Sequence, residues 1–418
     1  MLKRPLGGVN QKRKLDDSIA KTKSPIQNAD FRPISILPVL SRIVEKQIVH
    51  RFIYPTLIKP PLEPLIADQF AFRPTGSTSA AIISILNHTQ LLLKTNDYVS
   101  IISLDFSKAF DSVKHSSLFD KISTLDIPDE IHNWLVEYHL DRSHLTIFKG
   151  FSSTHLPINA SIVQGSGLGP TNFSITASDL HPSQAQNLMV KFADDTYLLT
   201  GSSQVHSIQT ELTLISSWAS DNNLTLNNSK SKQMIISRPR NTHSAPPTIP
   251  NITRVNSLKI LGVILQDNLK LSAHIDHLAA SCASSFYAVR KLKAHGFSPS
   301  SIHHITKATI VSKLLYASPS WWGLTQASDK DRLERILKRA KRLDYIEKSF
   351  PSVQELANTA DSKLLLSTLH NTKHVLYQLL PPLRPPSTLQ LRPRAHNHTL
   401  PPKNNKHFIS RMLYKDSY

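Results

Sequence analysis

Residues 98–111 read YVSIISLDFSKAFD, and residues 188–200 read LMVKFADDTYLLT. In the first, a β-branched run from Tyr98 to Leu104 predicts a buried strand that stops at Asp105. In the second, Leu188 to Phe192 and Thr196 to Thr200 predict two strands joined by a tight turn, with Asp194 and Asp195 at its tip. A buried strand that ends in a carboxylate is costly unless the charge is paired or used. Three carboxylates converging from adjacent strands would make a site for hard cations bound by oxygen. Two such ions can activate an attacking hydroxyl and steady a leaving oxygen, which is the chemistry of nucleotidyl transfer. An Asp-Asp pair alone is more often a polar turn, so the flanking sequence has to decide.

Outward from these strands the pattern mixes helices and strands. Ile43, Ile48 and Phe52 fall at helical spacing, and Ala80 to Leu93 predicts a more apolar helix. Pro128 to Tyr138 predicts a helix opened by proline. His144 to Val163 predicts short strands and turns. The glycine-rich stretch from Gln164 to Pro170 leads into a helix running to Leu180. Val205, Ile208, Leu212, Ile215 and Trp218 make an amphipathic helix. Met234 to Ser237 and Leu258 to Leu265 read as strands. After about Ser272 the texture is helical, and residues 331–348 carry seven basic and four acidic residues around Leu333, Ile336, Leu337 and Ala340. Seven prolines between Pro381 and Pro402 exclude one regular element there.

Composition narrows the function classes. Across 418 residues, 49 Lys and Arg oppose 30 Asp and Glu, a net charge of +19 that suits a polyanion, either nucleic acid or an anionic membrane surface. Cys282 is the single cysteine, which excludes an intrachain disulfide and any zinc knuckle built on several cysteines. No apolar leader and no run of eighteen uncharged apolar residues is present, so neither a signal peptide nor a spanning helix is expected. An intracellular, reducing location, nuclear or cytoplasmic, follows as an expectation. Residues 1–27 read as a basic leader without fixed structure. Its Lys12-Arg13-Lys14 triplet would serve either as part of a nuclear signal or as a solvated tail.

Seven blocks in order resemble the reverse transcriptase of non-LTR (LINE-type) retrotransposons. They are Asp30-Phe31-Arg32-Pro33-Ile34-Ser35, Asp68-Gln69-Phe70-Ala71-Phe72-Arg73-Pro74, and Leu104-Asp105-Phe106-Ser107-Lys108-Ala109-Phe110-Asp111. Then come Gln164-Gly165-Ser166-Gly167-Leu168-Gly169-Pro170, Phe192-Ala193-Asp194-Asp195, Leu226-Asn227-Asn228-Ser229-Lys230 and Leu261-Gly262-Val263. The resemblance implies an α+β right-hand polymerase with fingers, an antiparallel-sheet palm and a helical thumb. It places partial fingers at 28–94, the palm with fingers insertions at 95–270, the thumb at 271–348 and a Pro-rich basic tail at 349–418.

The resemblance also implies roles. Asp105, Asp194 and Asp195, with the Phe106 carbonyl, would hold two Mg²⁺ ions, which Mn²⁺ could replace. Phe110 would lie under the sugar and disfavour a 2′-hydroxyl, which argues for dNTPs over the ribonucleotides of an RNA-copying RNA polymerase. Arg73, and more weakly Arg32, would contact the triphosphate, because a guanidinium fork suits phosphate oxygens. Gln164 and Gly165 would let backbone approach the nucleotide. Lys230, or its rival Lys232, would protonate pyrophosphate. Partners would be an RNA template, a DNA primer and dNTPs, with no membrane. Val163 stands where many relatives have proline, and the upstream fingers segment and an endonuclease are not expected in this length. A truncated, inactive nucleic-acid-binding remnant is therefore the alternative to an active polymerase.

Overall fold

The computed structural model describes residues 13–20, 24, 26, 31–60, 62–148, 151–238, 246–385 and 396–415, with backbone only at 13–20, 31–34 and 148. Strand Tyr98–Leu104 is its centre. Asp195–Gly201 pairs with it antiparallel on one side and Lys232–Ser237 antiparallel on the other. Leu188–Phe192 forms one edge, and the short Thr253–Arg254 forms the other. Alternate side chains of the central strand enter two different cores. Val99 and Ile101 meet Ile82, Ile85 and Leu86 of helix Thr78–Thr95. Ile102 and Leu104 meet Leu212 and Ile215 of helix Ile208–Asp221 on the opposite face. Burial on both faces explains why the strand is an apolar run and not an alternation.

The predicted strands Tyr98–Leu104 and Leu188–Phe192 keep their bounds, and their partner extends to Asp195–Gly201. The predicted strand from Leu258 to Leu265 is a hairpin, Ser257–Ile260 with Val263–Gln266. Leu261 and Gly262 both have positive φ at its turn, 45° and 91°, as the mirror-image two-residue turns of hairpins require. A Cβ on Gly262 would stand 3.0 Å from the Tyr316 ring, and the Tyr316 hydroxyl donates to the Leu261 carbonyl at 3.0 Å. The hairpin thus meets the helical region closely. Leu258 and Ile260 share one continuous core with Ile275, Leu278, Trp321 and Leu333.

Three expectations need correction. The basic leader contributes strand Arg13–Ala20, which pairs antiparallel with Phe31–Ile36 and parallel with Arg142–Phe148. Ile19 is the one strong strand former in this stretch, so its local pattern gives little sign of the pairing. The remainder of the leader to residue 12 lies outside the described residues. The C-terminal stretch is not only a tail. Helix Val353–Leu369 opens on a capping box between Ser352 and Glu355, and Phe408–Leu413 is a buried helix. The prolines fall between those two helices. Finally, the apolar spacing over Val39–Ile48 holds only in part: Ile48 is buried and Phe52 packs on the same core, but Ile43 is 50% exposed, and Ser41 and Glu45 are buried in its place.

A short piece of the 68–74 block is bound to the edge of the central sheet. Lys191 donates its N–H to the Asp68 carbonyl at 2.7 Å, and Phe70 donates to the Lys191 carbonyl at 2.8 Å. The Lys191 side chain is fully buried. It pairs with Asp68 at 3.0 Å and donates to the carbonyls of Ala177 and Leu180. Removing one partner of such a pair strands the other charge. Lys191→Met should therefore lower stability by about 3–5 kcal/mol in urea denaturation. A change below about 1 kcal/mol would mean that water already solvates Asp68.

Candidate active site

The open end of the central sheet carries the carboxylates. Leu104 lies opposite Thr196, so one more step of the register sets Asp105 opposite Asp195. The backbone of Asp105 is held from the next block: its N–H donates to Ser231 Oγ at 3.1 Å, and its carbonyl accepts from Asn227 N–H at 2.7 Å. Ala193 takes φ 57° in the turn that presents Asp194. Its N–H donates to Gln69 Oε1 at 3.0 Å, and the same oxygen accepts from Ala71 N–H at 3.0 Å. A buried side chain of the 68–74 block therefore fixes the turn that carries Asp194.

The electrostatics report the convergence. Burial, then the charges of Asp194 and Asp105, push the Asp195 carboxyl up to about 6. Its surface stays open to solvent while its neighbours strip part of its hydration. Like charges crowded at one mouth are what a divalent cation relieves. Among the described residues, no three acidic, imidazole or thiol groups form a ready cage for a metal ion. Oxygen donors from one or two carboxylates, completed by water and phosphate oxygens, fit Mg²⁺ better than a closed protein cage does.

Asp105 and Asp194 open into a cleft of about 740 Å³, shared with Phe106, Phe110, Gln164, Gly165 and Lys230. Phe110 is stacked on Phe173, with ring centroids 4.6 Å apart, and meets Phe72 edge-on at 6.5 Å. Its ring thus has a rigid backing. Phe106 is buried against Trp218. Gln164 Nε2 donates to Asp111 Oδ1 at 2.7 Å, and its carbonyl accepts from Ser35 N–H at 3.0 Å. Gly165 has φ 104°, and a Cβ there would stand 2.8 Å from the Ser35 carbonyl oxygen. Only glycine fits that approach.

Other expected residues are not brought in. Arg73 does not line this cleft: its guanidinium donates to the Ile66 carbonyl at 2.6 Å, and burial lowers its pKa. Lys232 starts a strand and is exposed away from the cleft. Arg32 is in strand Phe31–Ile36, but its side chain lies outside the described residues, as does Asp30. Asp195 flanks the mouth and does not line the cleft wall.

Residue-by-residue reading missed the buried polar supports. Glu45 is fully buried, accepts from Gly167 N–H at 2.6 Å and from Ser41 Oγ at 2.8 Å, and so holds the glycine loop from helix Val39–Ile48. Ser166 Oγ accepts from the N–H groups of Leu168 and Gly169. The signal for Glu45 was a charge four residues after a serine, in step with the buried Ile48 on the same helix. Gln69 gave no signal beyond its place in a block.

A central sheet with carboxylates at one open end, and a helical region packed behind a hairpin, define the right-hand polymerase class. The chain belongs to the reverse transcriptase (RNA-dependent DNA polymerase) family, whose profile matches residues 19–265. It is 28% identical over 270 residues to the RNA-directed DNA polymerase from mobile element jockey of Drosophila melanogaster, covering 61% of this chain and 29% of that protein. It is 27% identical over 337 residues to the probable RNA-directed DNA polymerase from transposon X-element of the same fly, covering 75% and 35%. The chain thus spans about a third of the length of these curated relatives. These relatives bear out the resemblance to LINE-type reverse transcriptases. Among solved structures, apo telomerase from Candida tropicalis aligns with 89% of this chain and 64% of its own, at 13% identity and a TM-score of 0.49. Reverse transcriptases use divalent metal ions.

The raised Asp195 carboxyl gives a pH signature in metal-free buffer. Its folded value of about 6 lies above the ordinary 3.8, so the native state binds this proton more tightly. The stability it contributes is complete below 3.8 and is lost as pH rises through about 6. In EDTA, Asp195→Asn should therefore melt higher than wild type above that pH and lose the advantage on acidification. Parallel melting curves at every pH would show that neither burial nor the neighbouring carboxylates raise the Asp195 carboxyl.

Proposed function

We propose that this chain is an RNA-directed DNA polymerase that extends a primer 3′-hydroxyl with dNTPs by two-metal nucleotidyl transfer. The observation that carries the reading is the meeting of Asp105 with the Asp194–Asp195 turn at the mouth of a cleft floored by Phe110, Gln164 and Gly165. On this reading 28–94 act as fingers, 95–270 as palm and 271–348 as thumb.

Asp105, Asp194 and Asp195 would hold two Mg²⁺ or Mn²⁺ ions, with the Phe106 carbonyl as a further oxygen. Bound there, the metals would activate the primer hydroxyl and neutralise charge on the phosphates. The chain's own groups do the rest. Gly165 lets the Ser35 backbone close on the loop, which would hold that loop in shape beneath a nucleotide. Phe110, braced by Phe173, sets the floor against which a 2′-hydroxyl would press. Lys230 lines the cleft and would give a proton to departing pyrophosphate. Arg73 would reach a triphosphate only after leaving the Ile66 carbonyl, so its role implies a closing movement of the fingers segment. Template, primer and an intracellular site of action, nuclear or cytoplasmic, follow from the same reading. The +19 charge supports binding of the nucleic-acid backbone.

Primer extension on an RNA template is the test. Asp194→Asn should cut extension by roughly 10³-fold, the scale of losing a group aimed at developing charge. Equal turnover by both proteins, or none by wild type that still binds the primed template, would reject the reading.

Sugar selection gives a separate measurement. Phe110→Ala should narrow the dNTP-over-rNTP preference by roughly 10-fold or more. An unchanged ratio would leave Phe110 as packing for Phe173.

A further inference from the structure

A second cleft, of about 400 Å³, lies among helices Ala327–Arg342, Val353–Leu369 and Phe408–Leu413, away from the carboxylates. Its charge is unbalanced. Lys330, Arg411 and Lys415 line it with one acid, Asp361, so the wall carries 3 − 1 = +2. Asp361 is 1% exposed and takes a two-point fork from Arg411, Nη1 to Oδ2 and Nη2 to Oδ1 at 3.2 Å. That pair is self-contained. Lys415 Nζ donates to Ser362 Oγ at 2.8 Å, and Lys330 Nζ sits 5.0 Å from the Trp322 ring centroid. Among the described residues neither lysine has a carboxylate within ion-pair distance.

The two buried side-chain atoms of this wall that lack a partner among the described residues are both donors, while the amides of Gln354, Asn358 and Asn405 also line it. Trp322 is 2% exposed, and its indole Nε1–H has no acceptor among the described residues. Nor has the buried Arg411 Nε–H. An indole N–H only donates, and so does a guanidinium. Gly323 completes the wall. A Cβ there would stand 2.4 Å from the Lys406 carbonyl and 2.9 Å from Arg411 Nε, so the glycine lets the C-terminal segment close and seat Arg411. Burial first, and then Arg411, hold the Lys330 pKa below the ordinary lysine value, as expected where positive charge is in excess.

We propose that this cleft binds a phosphate group, supplied either by a nucleic-acid backbone or by a small phosphate. A phosphate offers only acceptor oxygens and one to two negative charges, which match orphaned donors and a surplus of +2. It makes no use of Asp105 or the hairpin, so it stands whether or not the polymerase reading does.

The four tryptophans give four indole N–H signals, and Trp322→Phe identifies one of them. Inorganic phosphate and a short single-stranded RNA are titrated separately against the full chain. The Trp322 signal should shift with phosphate, and Lys330→Gln with Lys415→Gln should weaken that binding about tenfold. The double variant spares the Asp361–Arg411 pair, and its melting curve checks that it folds. If RNA produces the same shift, and the variant lowers the salt slope of RNA binding by about 0.7, the phosphate comes from a strand. If phosphate shifts the signal and RNA does not, the site takes a small phosphate. No shift with either ligand, or a shift that the folded double variant retains at full affinity, overturns the proposal.

Discussion

A strand buried on both faces has nowhere to put a charge except past its last paired residue. Tyr98–Leu104 is such a strand, with helices packed on either side, and Asp105 is the first residue beyond it. The antiparallel neighbour imposes the complement, because its first residue, Asp195, comes level with Asp105. Desolvation of carboxylates inside the sheet would be prohibitive. The same force that builds the core therefore delivers the acids together at its rim. The rest of the molecule keeps that rim open and in register.

Much of this support is polar and buried. Gln69 holds the turn through Ala193, Lys191 joins Asp68 to the sheet edge, and Glu45 holds the glycine loop through Gly167. Each link joins segments far apart in sequence. Such groups are costly unless satisfied, so once satisfied they allow few other arrangements. Two of the three come from outside the central sheet, so the segment before residue 78 shapes the geometry of Asp194 and the glycine loop without lining the carboxylate pair itself.

The C-terminal half is tied to the sheet by shape. Leu261 and Gly262 turn the hairpin tightly enough to seat Tyr316, and the core passes without a break from Ile260 to Ile275 and Trp321. Burial of this continuous apolar surface, which runs on to Phe408 and Leu413, is why the last stretch folds despite its prolines. The second cleft forms where these late helices close over Gly323.

The central strand, the hairpin strands and the order of the blocks were legible because burial on both faces writes a run of β-branched residues, and a hairpin needs a short polar tip. Periodicity also marked helix Ile208–Asp221, though its first predicted turn is a tighter one at Ser202–Ser207. It held only in part at Val39–Ile48, where Ile48 faces the core as expected but the buried Glu45 shares that face and leaves Ile43 outside. Thus the sequence alone determined that acidic residues would end apolar strands and that the chain would carry an excess of positive charge. Only the tertiary structure decided that Arg73 spends its guanidinium on Ile66, that Gln69 braces Ala193, and that Arg13–Ala20 is a strand. Those outcomes depend on which distant group can satisfy a buried donor or acceptor, and local pattern carries no record of that partner.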